Sequence, residues 1–255
     1  MEQLTRHPLI LLVVSFALMS LAAWFGNSVL RKRNALDEDS RDDFRIVQSA
    51  TLTLLALVIG FSLSMAVGRY DQRKNYEEEE ANAIGTEFIR ADLLPASAAA
   101  TIRADLINYV DLRVEYYQTR DERRVERINA ATEDLQGKLW AAAKGGAVSQ
   151  PSPVAALAVA GMNDVINTQG YTQAAWLNRI PLAAWIMMLL IGVFANVLVG
   201  YGTKNSGSSK RFLLIMPLTV SLSFMLIADI DSPRNGIIRV VLQNLLGTSQ
   251  SLHRP

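Results

Sequence analysis

The sequence predicts an all-α membrane protein: four transmembrane helices in two hairpins, with a helical domain between the second and third spans. Three observations carry this. Half of the 255 residues are hydrophobic while 19% are charged. The two kinds are segregated, with apolar blocks of about 20 residues nearly free of charge and dense charge between them. No stretch alternates apolar and polar residues with the period of a strand.

The first block, 8–30, carries no charged residue and ends at Arg31-Lys32-Arg33. Its length exceeds the apolar region of a cleaved leader, so it reads as a retained span. The second, 47–68, is again uncharged and stops at Arg69. The third, 181–202, follows Arg179 and carries Trp185 and Tyr201 near its ends, where amphipathic rings favour the interface. The fourth, 212–230, follows Lys210-Arg211 and runs into Asp229-Ile230-Asp231, with Pro217 inside it as an expected kink. Short loops, 31–46 and 203–211, close two hairpins, so the termini and the central segment share one side. Lys and Arg are divided evenly between the two sides and do not set the orientation.

Between the hairpins, 69–180 reads as a helical domain. The second span continues outward as a rod, with Arg73/Glu77 and Lys74/Glu78 at i,i+4 spacing. Leu94-Pro95 breaks it, because proline lacks a donor and restricts the residue before it. A helix is expected over 97–144, with an apolar stripe of Ile102, Leu106, Tyr109, Val110, Val114 and Tyr117. Gly145-Gly146 through Pro151-Ser152-Pro153 has the composition of a linker, and a further helix is expected over 154–178. Residues 231–255 form a C-terminal segment.

Composition narrows the function. The net charge is +1 and no basic stripe is interleaved with aromatics, so nucleic acid is not an expected partner. There is no cysteine, and the two histidines, His7 and His253, lie at the termini, so no His/Cys metal cluster within one chain and no cofactor is expected. No Ser/His/Asp set or phosphate loop is present, and an enzyme is not expected. The spans hold no ionisable residue in their interiors, Asp229 and Asp231 standing at the membrane edge, which argues against ion-coupled transport.

The second span is the most informative. Ala56, Gly60, Ser64 and Gly68 keep one face small, an expected helix contact within or between subunits. Beside it, Thr53, Leu57 and Phe61 form a stripe that is either packing surface or a hydrophobic constriction. Glu77 to Glu80 reads as a solvated helix face, or else as carboxylates at the mouth of an oligomeric pore or at a divalent-cation site. Asp231-Ser232-Pro233-Arg234-Asn235-Gly236 reads as a turn capping the fourth span, or as a holder of an ion or a neighbouring subunit.

Gly60-Phe61, Arg69-Tyr70, Glu80-Ala81-Asn82-Ala83-Ile84, Leu93-Leu94-Pro95, Tyr109, the run from Asn163 through Arg179-Ile180-Pro181, and Asp229-Ile230-Asp231-Ser232-Pro233-Arg234-Asn235-Gly236 occur in an informative order. Together they resemble the bestrophin-like domain family of bacterial membrane proteins, distant relatives of bestrophin anion channels. The resemblance implies a homo-oligomer in the lipid bilayer, a pentamer by analogy, conducting an anion such as chloride. It puts Thr53, Leu57 and Phe61 at the pore neck. Arg69, Glu77, Glu80, Asn82, Asp229 and Asp231 are the residues expected at the cytoplasmic mouth or an ion site. It also implies a bacterial inner membrane location with cytoplasmic termini and central domain. Calcium-responsive bestrophins follow the turn with clustered acids. Here Gly236 is followed by Ile237-Ile238-Arg239-Val240, so calcium control is not implied. The competing expectations are a non-conducting membrane scaffold or sensor whose helices bind a partner, and a proton-motive stator completed by another subunit.

Overall fold

The computed structural model describes residues 5–33, 38–203 and 212–254, and among them every regular element is helical. In chain order these are α1 (Pro8–Phe25), which continues as a π-turn (Gly26–Leu30), α2 (Glu38–Arg90), α3 (Ala96–Gln118), α4 (Glu122–Ser149), α5 (Ala155–Leu177), α6 (Leu182–Gly202), α7 (Ile215–Asp231) and α8 (Gln243–Leu252). The chain divides into two compact units, one of residues 1–70 and 179–239, the other of 71–178 and 240–255. Among the described residues three stretches of helix are long and apolar enough to cross a membrane, in Pro8–Leu30, Ser40–Leu93 and Ala155–Gly202. α7 is a 17-residue helix.

In the first unit α1, α6 and α7 pack together around Met19, Met188, Val220 and Phe224, with Leu55, Val58 and Ala66 of α2 joining the same core. The tightest approach is between α1 and α6. A Cβ on Gly26 would stand 2.1 Å from the Val197 carbonyl oxygen, and one on Gly200 2.0 Å from that of Ala23. Only glycine lets two helix backbones come so close, which in lipid replaces the hydrophobic effect as the source of cohesion. Asn27, buried at the same crossing, donates its side-chain N–H groups to the carbonyls of Gly200 and Thr203, both at 3.1 Å. These donors add to the bonding of the carbonyls at the α6 C-terminus, where Gly200 also accepts the Thr203 N–H at 3.3 Å.

In the second unit α3, α4 and α5 form a bundle with the outer part of α2. Ile102, Leu106, Tyr109, Leu139, Met162 and Leu245 are fully buried there. Packing of these apolar stripes, not helix propensity, holds such helices in place.

Four expectations need correction. The helix expected over 97–144 is two helices, separated at Thr119-Arg120-Asp121, where Asp121 caps α4 by accepting the Arg123 N–H at 3.0 Å. Gly145 and Gly146 are not linker but the last turns of α4, and Gly146 packs so closely on Ala98 that a Cβ would approach it to 2.9 Å. Pro217 does not kink the fourth apolar helix. It is the third residue of α7, where the missing N–H would have had no intrahelical partner. The loop expected over 31–46 is mostly helical, because α2 begins at Glu38. The loop 203–211 lies outside the described residues, apart from Thr203.

Candidate functional site

α2 is built on one core-facing row whose chemistry changes along its length. Leu55, Val58, Ser62, Ala66, Arg73, Glu77, Glu80, Ile84 and Glu87 are all buried, and with part-buried Arg69 they recur in steps of three or four residues, one side of a helix. In the first unit the row is apolar but for Ser62 as far as Ala66 and then reaches Arg69, and in the second it is mostly charged.

The opposite side is the candidate site. At about 100° per residue, Thr53, Ala56, Leu57, Gly60, Phe61, Ser64 and Gly68 fall on one outward face. Leu57 is 52% exposed and Phe61 62%. Thr53, Ala56, Gly60, Ser64 and Gly68 are exposed as well. The small-residue row and the Thr53/Leu57/Phe61 row thus interleave on a single surface. Nothing lies within 4 Å of a Cβ built on Gly60 or Gly68. The small face is therefore not a contact within this chain among the described residues, and the close glycine packing occurs at Gly26 and Gly200 instead. Asn82 is exposed on the outer part of the helix.

At the end of the first unit the acids expected near the mouth are bound by the chain itself. Asp231 accepts from Arg69 Nη1 at 3.5 Å and from the Ile180 backbone N–H at 3.2 Å, and Arg179 donates to its backbone carbonyl at 2.9 Å. Asp229 accepts the N–H groups of Ile237 and Ile238 at 2.7 and 2.8 Å. Those two bonds fold the turn after α7 back on its end. Gly236 is required there, since a Cβ would come within 2.3 Å of the Asp229 carbonyl oxygen. Both carboxylates are almost wholly buried, and amide and guanidinium donors offset the cost of removing them from water.

The acidic run of the second unit is not the solvated face that its composition suggests. Glu78 and Glu79 are exposed, but Glu77 and Glu80 are fully buried. Glu77 accepts from the Asn244 and Leu245 backbone N–H groups at 3.1 and 2.8 Å and from the Asn244 side chain at 2.8 Å. It thus caps the N-terminus of α8, which has no side-chain cap of its own. Glu80 pairs with the buried Arg113 Nε and accepts from Tyr117 at 3.2 Å and Thr172 at 3.0 Å. The Arg113 guanidinium also lies 4.4 Å from the Tyr116 ring centre. Burial next to Glu80 pushes the Tyr117 hydroxyl well above its ordinary range, so it stays a neutral donor. These contacts tie α2, α3, α5 and α8 together. Among the described residues no group of three or more His, Cys, Asp or Glu side chains is arranged to hold a metal ion.

Sequence reasoning missed the interior roles of Glu77 and Glu80. The signal was present: both continue the three-and-four spacing set by Leu55, Val58, Ser62 and Ala66. It also missed Asn27, Gly26 and Gly200, which lie in apolar spans where a single polar or small residue attracts little notice.

An all-helical membrane protein with a long helix shared by an apolar and a charged unit, and with one apolar face of that helix left outward, defines the class. Residues 13–245 match the Bestrophin-like domain, and the chain belongs to the Bestrophin-like family. No curated protein matches it. Among solved structures it is similar to a point variant of a bacterial bestrophin homolog from Klebsiella pneumoniae, with a TM-score of 0.68 at 13% identity over 94% of this chain and 96% of that one. The same homolog solved by zinc phasing gives 0.66 at 14% identity over 96% and 95% of the two chains. A crystal structure described as a membrane protein variant gives 0.67 at 15% identity, covering 96% of each. At these identities the likeness is one of fold.

Proposed function

We propose that the chain is a subunit of an oligomeric ion channel, anion-conducting, in which α2 lines the pore with Thr53, Leu57 and Phe61 at the neck. The single observation that carries this reading is the outward face of α2. It places an apolar row beside small and hydroxyl-bearing positions, and the chain's own core covers the other side of the helix. Rings of such residues from several subunits form a constriction that gates by dewetting, and Thr53 and Ser64 supply hydroxyl donors along it. Ala56, Gly60, Ser64 and Gly68 let neighbouring copies of α2 approach closely. In this reading there are four spans, α7 being the fourth, and the assembly is a pentamer in the bacterial inner membrane. The termini and the helices of 69–180 are cytoplasmic, as in the bestrophin plan. Arg69, Asp229 and Asp231 shape the pore's cytoplasmic edge through the turn they hold, and Asn82 faces the aqueous path.

The test is flux through purified protein in liposomes, comparing chloride with potassium. Chloride permeability that increases in Leu57→Ala and Phe61→Ala supports the proposal. Liposomes as tight as protein-free ones, with both variants equally silent, reject it. One observation favours a second reading, a non-conducting scaffold: an apolar groove in the second unit lined by Trp140, Val148, Pro151, Ala156 and Val159. A stoichiometric soluble partner retained by the wild type and lost on Val148→Asp, together with absent flux, favours the scaffold.

A further inference from the structure

Glu87, on the core-facing row of α2, is wholly buried and lies against Gly161 of α5. A Cβ on Gly161 would come within 2.1 Å of Glu87 Oε2 and 2.7 Å of Arg90 Nη1, so both side chains occupy the recess that glycine leaves. Neither carboxyl oxygen of Glu87 has a hydrogen-bond partner among the described residues. This sets it apart from Glu77 and Glu80 on the same row, which are saturated with donors. Arg90, one turn further on, reaches instead toward Asp164 of α5, with Nη1 3.9 Å from Oδ2. The seam thus holds two acids and one cation, with the cation turned to the more exposed acid. Arg103 of α3 and Asp92 pair with each other beyond it. A polar groove lined by Thr86, Arg90, Gly161, Asp164 and Thr168 opens beside the seam and gives water a route to it.

A buried carboxylate without donors is costly, and such a group keeps its proton instead. We propose that Glu87 is a proton switch in the seam between α2 and α5. As the neutral acid it fits against the Gly161 backbone and leaves Arg90 to Asp164, and as the carboxylate it takes Arg90 from Asp164 and loosens the seam. The direction of its titration agrees. Burial, the largest influence, raises the Glu87 carboxyl from an ordinary value of 4.5 to about 8, with Arg90 opposing and Asp164 adding to the rise. A raised folded-state value means that the contribution to stability is full below 4.5 and is lost as pH rises through about 8.

The experiment compares the full chain in detergent with Glu87→Gln between about pH 5 and about pH 9, reading thermal unfolding and amide exchange over residues 155–165, corrected for intrinsic rates. The wild type loses stability across this window, and its α5 amides exchange about tenfold faster at the alkaline end. Glu87→Gln removes that part of the slope and unfolds at a higher temperature than the wild type at the alkaline end. Asp164→Asn, which frees Arg90 for Glu87, moves the wild-type transition to lower pH and supplies an independent readout if the glutamine variant does not fold. Equal slopes in wild type and Glu87→Gln, or a transition unmoved by Asp164→Asn, overturn the proposal. None of these readouts depends on conduction.

Discussion

Asp231 and Arg69 meet at 3.5 Å between the end of α7 and the end of the apolar part of α2, both largely buried. The pair fastens the candidate pore helix to the turn that closes the unit. Arg69 has one acid there, whereas Asp231 also accepts the Ile180 N–H. Asp231→Ala leaves a part-buried cation and a buried amide without their acceptor, and Arg69→Ala leaves one acid still bonded to an amide. Asp231→Ala is expected to cost about 3–5 kcal/mol and Arg69→Ala less. Unfolding temperatures in detergent check the order. Equal effects would show that the Ile180 bond adds nothing.

Asp229 bears on cation binding. Its two oxygens are each engaged by a backbone N–H of the following turn, and calcium needs six to eight oxygen ligands. Addition of calcium at about 1 mM is expected to leave the unfolding temperature unchanged, since a ligand that binds the folded state would raise it. Asp229→Ala is expected to lower it with or without calcium, because the turn loses both of its acceptors.

Glu80 and Arg113 form a buried charge pair, and breaking it should cost more than replacing it. Glu80→Ala is expected to destabilise by about 3–5 kcal/mol through the uncompensated guanidinium left behind. Combining Glu80→Gln with Arg113→Met should recover a large part of that loss, as paired replacement of buried ions by neutral groups is often tolerated. A double-mutant cycle on thermal or denaturant unfolding reads the coupling.

The two kinds of glycine in the spans separate packing inside the subunit from packing outside it. Gly200→Val forces a side chain into the Ala23 carbonyl and is expected to destabilise the subunit by about 1–3 kcal/mol or more. A Cβ on Gly60 meets nothing within 4 Å among the described residues, so Gly60→Val should leave the subunit folded. Its effect should appear in the number of subunits found by light scattering in mild detergent.

Three long apolar helical stretches, the Leu94-Pro95 break and the apolar stripe from Ile102 to Tyr117 were legible because each rests on composition or period alone. The Gly60 row was legible as a small face but not as an outward one, since spacing says which residues share a side and not what covers it. The burial of Glu77 and Glu80 was hidden for a related reason. Their partners, Asn244, Arg113 and Thr172, are remote in the chain, and no local pattern reports a long-range donor. The division between α3 and α4 was missed because the charges from Arg120 to Arg127 suit an exposed helix as well as a turn followed by one.

In the proposed channel the outward face of α2 meets the permeating ion. The chain has no cysteine, so single substitutions report one site each without a background. Anion flux through Phe61→Cys and Leu57→Cys in liposomes is the direct measurement, before and after a charged, membrane-impermeant thiol reagent, with Leu190→Cys on an exposed part of α6 as control. The reagent is expected to stop flux at Leu57→Cys and Phe61→Cys and to leave Leu190→Cys unaffected. Flux that persists when both α2 cysteines are fully labelled would contradict it.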